Sequence, residues 1–372
     1  MLRSLEIRNY RNLRHLTIEK LGRVNLLVGK NNTGKTSVLE AVSILIHKAN
    51  LQAITQIFEE RGENVPRMST SGPEQRIENN TELLSGMFHG RECSTDKKNS
   101  IVISSLGGES VSLRFVNYAK EVIEDEYSQD AYSKIIVVDS ASESEGLGIE
   151  IIDDNTFRVL TLDRDLSRPL RFGSMRENVQ FVRTSGITRD SNGRLWDKIT
   201  STENNAYVED ALKIVEPAVT GLRFILPNVD SYATRKKDER IGVVQLKGLS
   251  KPISLSSMGD GINRILTIIL AMVNCENGYL LIDEFENGLH YSVQEKLWKI
   301  IFYLAENLNT QVFATTHSLD CVEAFSSVLS NGKQDKDAGA LIRLENYDGN
   351  IEATVYDADE IQATTRVQVD PR

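Results

Sequence analysis

The sequence predicts an α/β fold with a mixed or parallel central sheet, an antiparallel β layer, an inserted lid or arm region and no long coiled coil. A buried strand at residues 24–28 runs into a glycine-rich loop and then into a helical segment. Short strand-like runs follow one another between residues 101 and 182, which is typical of antiparallel sheets. After residue 243, buried strands alternate with longer helical segments, which indicates parallel strands. No segment keeps a heptad repeat.

The predicted elements begin with a hairpin. Leu5 and Ile7 alternate with polar neighbours, and so do Leu16 and Ile18, as in two half-buried strands. Residues 50–100 are polar and predict no clear element. Further strands are expected at 101–105, 111–116, 134–138, 149–152, 157–162, 179–182, 222–226, 279–282, 311–315, 340–344 and 351–356, and helices at 37–47, 207–215, 261–273, 292–306 and 319–329.

The length and composition are those of a folded soluble protein. The chain has 372 residues, of which 40% are hydrophobic and 26% charged. At about 100–200 residues per domain, this length allows two or three lobes. We expect an N-terminal lobe at 1–185 with the glycine-rich loop and the antiparallel layer, a helical arm or lid at 186–244, and a C-terminal lobe at 245–372.

The sequence argues against a membrane or secreted protein. The longest largely apolar run, residues 265–273, is too short to cross a bilayer, and the N-terminus has no apolar segment of signal-peptide length. Cys93, Cys275 and Cys321 have no CxxC spacing, which argues against a disulfide framework or a zinc site. We therefore expect a cytoplasmic protein with no membrane partner.

The net charge of −10 comes from one segment. Residues 121–155 contain eleven acidic residues and one basic residue, and the remainder of the chain has 42 of each sign. Residues 1–30 carry a net charge of +5 and residues 156–194 one of +4, patches of the kind that phosphate contacts require. Solvated surface charge is the simpler explanation of each patch. The acidic segment could repel DNA, mimic it or dock a basic partner, so the overall charge does not exclude DNA.

The first motif with a chemical meaning is the glycine-rich loop at Gly29–Thr36, which matches the GxxxxGKT pattern of a P-loop. The two glycines let successive N–H groups face a phosphate, and the helix N-terminus adds its dipole. The lysine can reach the β- and γ-phosphates, and the last threonine offers a hydroxyl to Mg²⁺. A turn without a ligand is the alternative for the loop alone. The candidate nucleotide-binding residues here are Gly29, Asn31, Asn32, Thr33, Gly34, Lys35, Thr36 and Ser37.

The second motif is the buried strand at 279–282, which ends in two carboxylates. Ligands bind at the carboxyl edge of an open α/β sheet. We expect Asp283 to hold the magnesium ion together with Thr36, and Glu284 to act as the general base on the attacking water. Without the P-loop, a solvated acidic turn would be the better interpretation.

Two weaker motifs lie nearby. His317 follows the strand at 311–315 and could contact the γ-phosphate or the water, although a residue that only caps the next helix is the alternative. The turn Ser257–Gly261 opens the helix at 261–273 and forms an anion-binding N-terminus, or an ordinary cap. A Q-loop glutamine is not clear, and Gln180 is the candidate. The predicted catalytic residues are therefore Glu284, His317 and Lys35.

In this order the four motifs resemble the ATP-binding-cassette (ABC) type of ATPase head. The P-loop and the acidic strand match Walker A and Walker B, residues 257–260 stand at the signature, His317 matches the switch histidine, and residues 286–290 match the D-loop. Met258 and Asp260 replace the usual Gly and Gln of the signature, and His290 replaces the usual D-loop Asp. These departures concern the contacts between two heads and not nucleotide binding.

The N-terminus narrows the resemblance to the SMC/RecF/OLD group. Residues 7–13 form a strand that runs into a turn shortly before the P-loop, and the runs 283–290 and 314–318 look most like OLD-type ATPases of phage-defence cassettes. The resemblance implies that Arg11 approaches the bound phosphates; a surface hairpin charge is the alternative. It also implies contacts from a second head through Ser257, Gly259, Asp260 and Asn287.

Three functions are consistent with the sequence. The leading one is an ATP- and Mg²⁺-dependent ATPase switch, a homodimer or higher homo-oligomer, that controls a DNA-directed or effector activity in anti-phage defence. A nuclease of the Toprim type would then be a separate chain, since 42 residues follow position 330. The second is a RecF-like repair ATPase that binds DNA directly. The third is an ATP-bound scaffold with little turnover.

Overall fold

The fold of the chain is given by a computed structural model. The residues that the structure describes are 1–63, 72–124, 131–154, 156–166, 175–184, 189–226, 240–331, 338–357 and 360–361.

The described part of the chain contains three sheets and eight α-helices, with short 3₁₀ turns between them. The strands are β1 (Leu5–Tyr10), β2 (Leu13–Ile18), β3 (Val24–Val28), β4 (Ile101–Ser104), β5 (Ser110–Glu124), β6 (Ala131–Val138), β7 (Gly146–Asp153), β8 (Phe157–Thr161), β9 (Val179–Val182), β10 (Val219–Ile225), β11 (Ile241–Leu246), β12 (Ile253–Ser254), β13 (Tyr279–Ile282), β14 (Gln311–Thr315), β15 (Gly339–Tyr347) and β16 (Asn350–Tyr356). The helices are α1 (Lys35–Ile46), α2 (Leu51–Glu60), α3 (Pro73–Ser85), α4 (Arg189–Ile199), α5 (Asn205–Val215), α6 (Asp260–Val273), α7 (Tyr291–Asn307) and α8 (Leu319–Asn331).

The central sheet has six strands in the order β16-β15-β3-β14-β13-β9. All neighbours are parallel except β16, which returns antiparallel from β15 through a tight turn with positive φ at Asp348 and Gly349. The register pairs Leu281 with Phe313 and Phe313 with Asn25. The carboxyl ends of β3, β13 and β14 therefore meet at one edge of the sheet.

Helix α1 lies between the central sheet and an antiparallel sheet. The antiparallel sheet runs in the order β2-β1-β4-β5-β7-β8, with β6 paired to the distal part of β5. One hydrophobic core joins its inner face to α1 and to the side of the central sheet that bears Leu27, Leu281 and Phe313. Because it is covered from both sides, α1 buries all but one of its residues, including the charged side chains of Lys35 and Glu40.

A second core covers the opposite side of the central sheet. Helices α4 to α8 pack there against side chains of β3, β13 and β14. An aromatic stack holds the loop after β13 to α7, because the rings of Phe285 and Trp298 are 4.0 Å apart and 11° from parallel. Phe325 of α8 meets Trp298 edge-on at 5.0 Å. The molecule is therefore layered, with the central sheet between two apolar cores.

The fold class predicted from the sequence is confirmed by this sheet order. The longest described helix is α7, with 17 residues, so the described part of the chain contains no long coiled coil. Nor does it contain a helix long and apolar enough to cross a membrane. The predicted arm at 186–244 holds α4 and α5 but also β10 and most of β11, so it is mixed rather than helical. β3 and β9 of the predicted N-terminal lobe share one sheet with β13 of the predicted C-terminal lobe, and the predicted domain divisions stay predictions.

The chain start is tied to the central sheet by Gln311 of β14. Its amide oxygen accepts from the Leu2 N–H at 2.8 Å, and its amide nitrogen donates to the carbonyls of Leu2 and Gly22 at 2.8 and 2.9 Å. Gln311 is buried, so these three bonds are shielded from water.

We expect Gln311→Leu to lower the free energy of unfolding by about 2–4 kcal/mol, because three buried main-chain groups lose their partners. Urea denaturation measures this change. Gln75→Leu, on the exposed surface of α3, is the control and should shift stability by less than about 0.5 kcal/mol. Equal effects of the two substitutions would show that the Gln311 bonds contribute little.

Candidate functional site

The loop between β3 and α1 has the backbone shape of a phosphate cradle. Gly29 and Gly34 adopt φ values of 143° and 84°, and Asn32 one of 65°. A side chain at Gly29 would collide with the Leu344 carbonyl, and one at Gly34 would lie 2.7 Å from Leu13. Both glycines are therefore required by the conformation and by the space.

Lys35 curls back over this loop. Its Nζ donates to the carbonyls of Gly29 at 2.7 Å and Lys30 at 2.9 Å. Burial lowers the pKa of Lys35 to about 8, and the nearby carboxylates of Asp283, Glu286 and Glu284 offset part of that effect. The lysine is thus held where a phosphate on the loop would meet it.

Thr36 and Asp283 meet at the end of the P-loop. The Thr36 hydroxyl lies 3.1 Å from each Asp283 carboxylate oxygen, although the two residues are 247 positions apart. Thr315 donates to the same carboxylate at 2.7 Å. A hydroxyl beside a carboxylate is an oxygen donor set that suits Mg²⁺, which takes few protein ligands and completes its shell with phosphate and water. Among the described residues, no group of three or more His, Cys, Asp or Glu side chains forms a separate metal cage.

Glu284 occupies a strained backbone position. Its φ is 48°, in the left-handed region that non-glycine residues rarely adopt. The conformation is held by the Glu284 N–H, which donates to the Thr315 hydroxyl at 2.9 Å. Thr315 therefore fixes both acidic residues at the end of β13, and Glu284 is placed next to the Thr36–Asp283 pair.

The loop that carries His317 is fastened to the loop after β13 by Glu286. The His317 N–H donates to Glu286 Oε1 and the Thr316 hydroxyl donates to Oε2, each at 2.7 Å. The structure thus brings His317 to the same sheet edge as Glu284. It places the predicted residues of Walker A, Walker B and the switch loop together.

Arg264, one turn into α6, joins three loop carbonyls. Its guanidinium donates to the carbonyls of Arg183 at 2.7 Å, Asp283 at 2.9 Å and Glu284 at 3.2 Å. The Asn287 side chain donates to the Thr184 carbonyl at 3.4 Å. The ends of β9 and β13 and the start of α6 are therefore bound into one junction beside the acidic residues.

Arg11 has a largely buried side chain that forms two ion pairs. It lies in the turn between β1 and β2 with φ of 50°, and its guanidinium pairs with the buried carboxylate of Glu40 at 3.0 Å and with Glu63 at 3.1 Å. The next residue, Asn12, braces the P-loop, because its side chain bonds the Asn32 carbonyl and the Ser37 hydroxyl. A role of Arg11 at the phosphates stays a prediction.

The signature residues lie at the start of α6. Ser257 is in a 3₁₀ turn, Gly259 precedes the helix with φ of 95°, and Asp260 is its first residue. A side chain at Gly261 would lie 3.0 Å from the Gly288 carbonyl, so the signature and D-loop segments of one chain touch. Contacts to a second chain stay a prediction.

Four residues of this site were not predicted as functional, and a fifth, Glu286, fell within the predicted D-loop without a role of its own; the four are Asn12, Arg264, Thr315 and Thr316. Arg264 is the one cation of α6, and Glu286 is an acid two positions after Glu284, so each gave a weak signal in the sequence. Gln180 does not lie at the end of its strand, and its side chain donates to the Glu177 carbonyl. At the end of β9 stands Arg183, stacked on Phe181 at 3.7 Å.

Comparisons with known proteins give a family and several relatives of this chain. The family model described as "AAA domain, putative AbiEii toxin, Type IV TA system" matches residues 24–322. The chain is 24% identical over 351 residues to a Helicobacter pylori protein named "ATP/GTP phosphatase", a match that covers 88% of each protein. A RecF protein of Teredinibacter turnerae is 48% identical over 46 residues, which is 12% of each chain.

Solved structures give a weaker likeness. An SMC head domain from Thermotoga maritima matches 95% of this chain and 98% of its own, with a TM-score of 0.45 and 12% identity. An Smc head of Pyrococcus furiosus, bound to the C-terminal domain of ScpA, has a TM-score of 0.49 and 9% identity over 99% of both chains. The fold class rests on the strand order and register given above.

We expect binding of a nonhydrolysable ATP analogue at pH 8.5 to take up more than about half a proton. The pKa of Lys35 is about 8 in the free protein, so most Lys35 is neutral at this pH, and a bound phosphate favours its charged form. Affinity should therefore fall as the pH rises above 8. Calorimetry in two buffers of different ionisation enthalpy measures the uptake. Lys35→Arg, whose charge is permanent, should abolish it, and a wild-type uptake of zero would contradict the expectation.

Proposed function

The chain belongs to this AAA-domain family of ATPases, and we propose that it is an ATP-dependent switch in which nucleotide closes two heads and hydrolysis releases them. One observation carries the proposal: the Thr36 hydroxyl of the P-loop and the Asp283 carboxylate of β13 meet at 3.1 Å, next to Lys35. This is the pairing that a nucleotide-bound magnesium ion requires.

Hydrolysis uses residues at the same sheet edge. Gly29, Gly34 and Lys35 would hold the β- and γ-phosphates, and the Mg²⁺ held by Thr36 and Asp283 would neutralise charge on them. Glu284 would take the proton of the attacking water as general base. Its constrained backbone fixes the direction in which its side chain leaves the main chain. His317 would contact the γ-phosphate or the water from the neighbouring strand.

The relatives support nucleotide hydrolysis as the activity. The name of the Helicobacter pylori protein gives both ATP and GTP, and the match to it spans most of both chains. The family description adds a toxin of a Type IV toxin–antitoxin system. That description supports a switch that governs an effector, and we place the effector, a nuclease in our proposal, on a separate chain in anti-phage defence.

Closure would use the signature and D-loop of a second copy. Ser257, Gly259 and Asp260 would face the γ-phosphate held by the partner's P-loop, and Asn287 would lie beside them. A left-handed glycine before a helix exposes N–H groups that suit a phosphate. The homodimer is thus part of the proposed active site.

A RecF-like role in DNA binding is the second candidate. It is favoured by the short, strong likeness to RecF proteins, 48% identity over 46 residues in one case. The exposed cations Arg3 and Arg14 belong to the net positive stretch at residues 1–30. A scaffold with little turnover is the third candidate, supported by Met258, Asp260 and His290 at signature and D-loop positions.

We expect Glu284→Gln to lower ATP turnover at least about 100-fold, because the general base is lost, and to leave ATP affinity within about threefold. The ATP-bound dimer should accumulate in this variant. Phosphate release and size-exclusion chromatography with ATP measure the two effects. Lys35→Ala is the companion variant and should lose nucleotide binding. Normal turnover in Glu284→Gln would refute the assigned base, and unchanged binding in Lys35→Ala would refute the phosphate site.

The three candidates differ in how DNA and ATP interact. The switch predicts turnover by the purified chain without DNA and little DNA affinity of the chain alone. A RecF-like protein should bind DNA more tightly with ATP, with an affinity that falls steeply with salt. Fluorescence anisotropy with duplex DNA, with and without ATP, separates these outcomes. A scaffold would bind ATP yet hydrolyse almost none, with or without DNA.

A further inference from the structure

Glu286 connects the loop after β13 to the loop after β14. Its two carboxylate oxygens accept from the His317 N–H and the Thr316 hydroxyl, each at 2.7 Å. Thr316 is fully buried, so a hydrogen bond to a charged acceptor is strong there. These contacts set the backbone position of His317, the residue proposed to meet the γ-phosphate.

The same loop is the part proposed to face a second head. Phe285 is anchored by its stack on Trp298, whereas Asn287 and Gly288 are exposed. The Leu289 N–H donates to the Glu286 carbonyl at 2.9 Å, which closes a turn around these two residues. A contact on the exposed tip would therefore act on Glu286, whose side chain is bonded to the His317 loop.

We propose that Glu286 is a positioning residue that transmits closure of the second head to His317. This inference rests on the proposed function and adds to it a route between the dimer contact and the hydrolytic centre. A contact of the second head with Asn287 and Gly288 restrains Glu286. Glu286 in turn restrains the backbone of residues 316–317, and the imidazole of His317 is thereby held at the γ-phosphate. Hydrolysis is then favoured only in the closed dimer.

A carboxylate is the group that these contacts need. One side chain satisfies two donors, an N–H and an O–H, with its two oxygens. A glutamine offers one oxygen and turns an NH₂ toward the other donor. Because the Thr316 hydroxyl can also accept, Glu286→Gln removes the charge of the acceptor and weakens both contacts, while it keeps the size of the side chain.

The test is a double-mutant cycle with Glu286→Gln and His317→Ala. We expect Glu286→Gln to lower kcat about tenfold, with ATP affinity and melting temperature close to wild type. In the His317→Ala background, Glu286→Gln should cost less than about twofold more, because its effect passes through His317. Multiplicative losses, or a loss of ATP affinity instead of kcat, would overturn the proposal. Thr316→Val removes one contact but keeps the charged acceptor for the His317 N–H, so its kcat should lie between those of the wild type and Glu286→Gln.

Hydrogen exchange at the His317 amide gives a second measurement that needs no turnover. The amide should exchange at least about tenfold faster in Glu286→Gln, and the extra protection that ATP gives the wild type should disappear in this variant. Glu295→Gln, on the exposed side of α7 and paired with Lys299, is the control and should leave both unchanged. If the wild type hydrolyses no ATP, the proposed function is refuted. The hydrogen-exchange rate of the His317 amide then still tests whether Glu286 positions the His317 loop. Equal ATP protection in wild type and Glu286→Gln would refute that role.

Discussion

The site depends on the parallel pairing of β3, β14 and β13 in one register. Each strand is buried on both faces and mostly apolar, so the packing of its side chains fixes its position in the sheet. Parallel neighbours end at the same edge, which brings the P-loop, the Walker B acids and the His317 loop within hydrogen-bond reach. A register shift of two residues between these strands, about 6.6 Å, would separate Thr36 from Asp283 and abolish the site.

The polar side chains at this edge hold each other in place. Thr315 bonds Asp283 and the backbone of Glu284, Glu286 bonds the His317 loop, and Arg264 closes the junction through three carbonyls. Each of these bonds is partly buried, so each is worth more than a fully exposed equivalent. The strained φ of Glu284 is retained because this network over-determines the loop.

The elements that form the site were predicted well, and its supporting residues were not. The strands at 24–28, 279–282 and 311–315 were predicted with the bounds that the structure has, because buried strands between glycine or polar loops leave an unmistakable apolar run. Residues 50–100 gave no prediction, yet they hold α2 and α3. The amphipathic pattern of α3 is weak, and tertiary packing decides that segment. Arg264 acts through three loop carbonyls and Glu286 through the loop after β14, and no local sequence pattern encodes such long-range contacts.

Arg11 shows why a charged residue in a motif cannot be assigned from its motif alone. The sequence left two possibilities, a phosphate contact or a surface charge, and the structure buries the guanidinium against Glu40 and Glu63. Glu40 is fully buried on α1 and also bonds Arg61, so removal of Arg11 leaves that carboxylate paired. If Arg11 moved to a nucleotide, Glu63 would lose its ion pair with Arg11, whereas Glu40 would keep its bonds to Arg61. The cost of the movement would therefore fall on Glu63, because the Glu40 carboxylate keeps these two bonds.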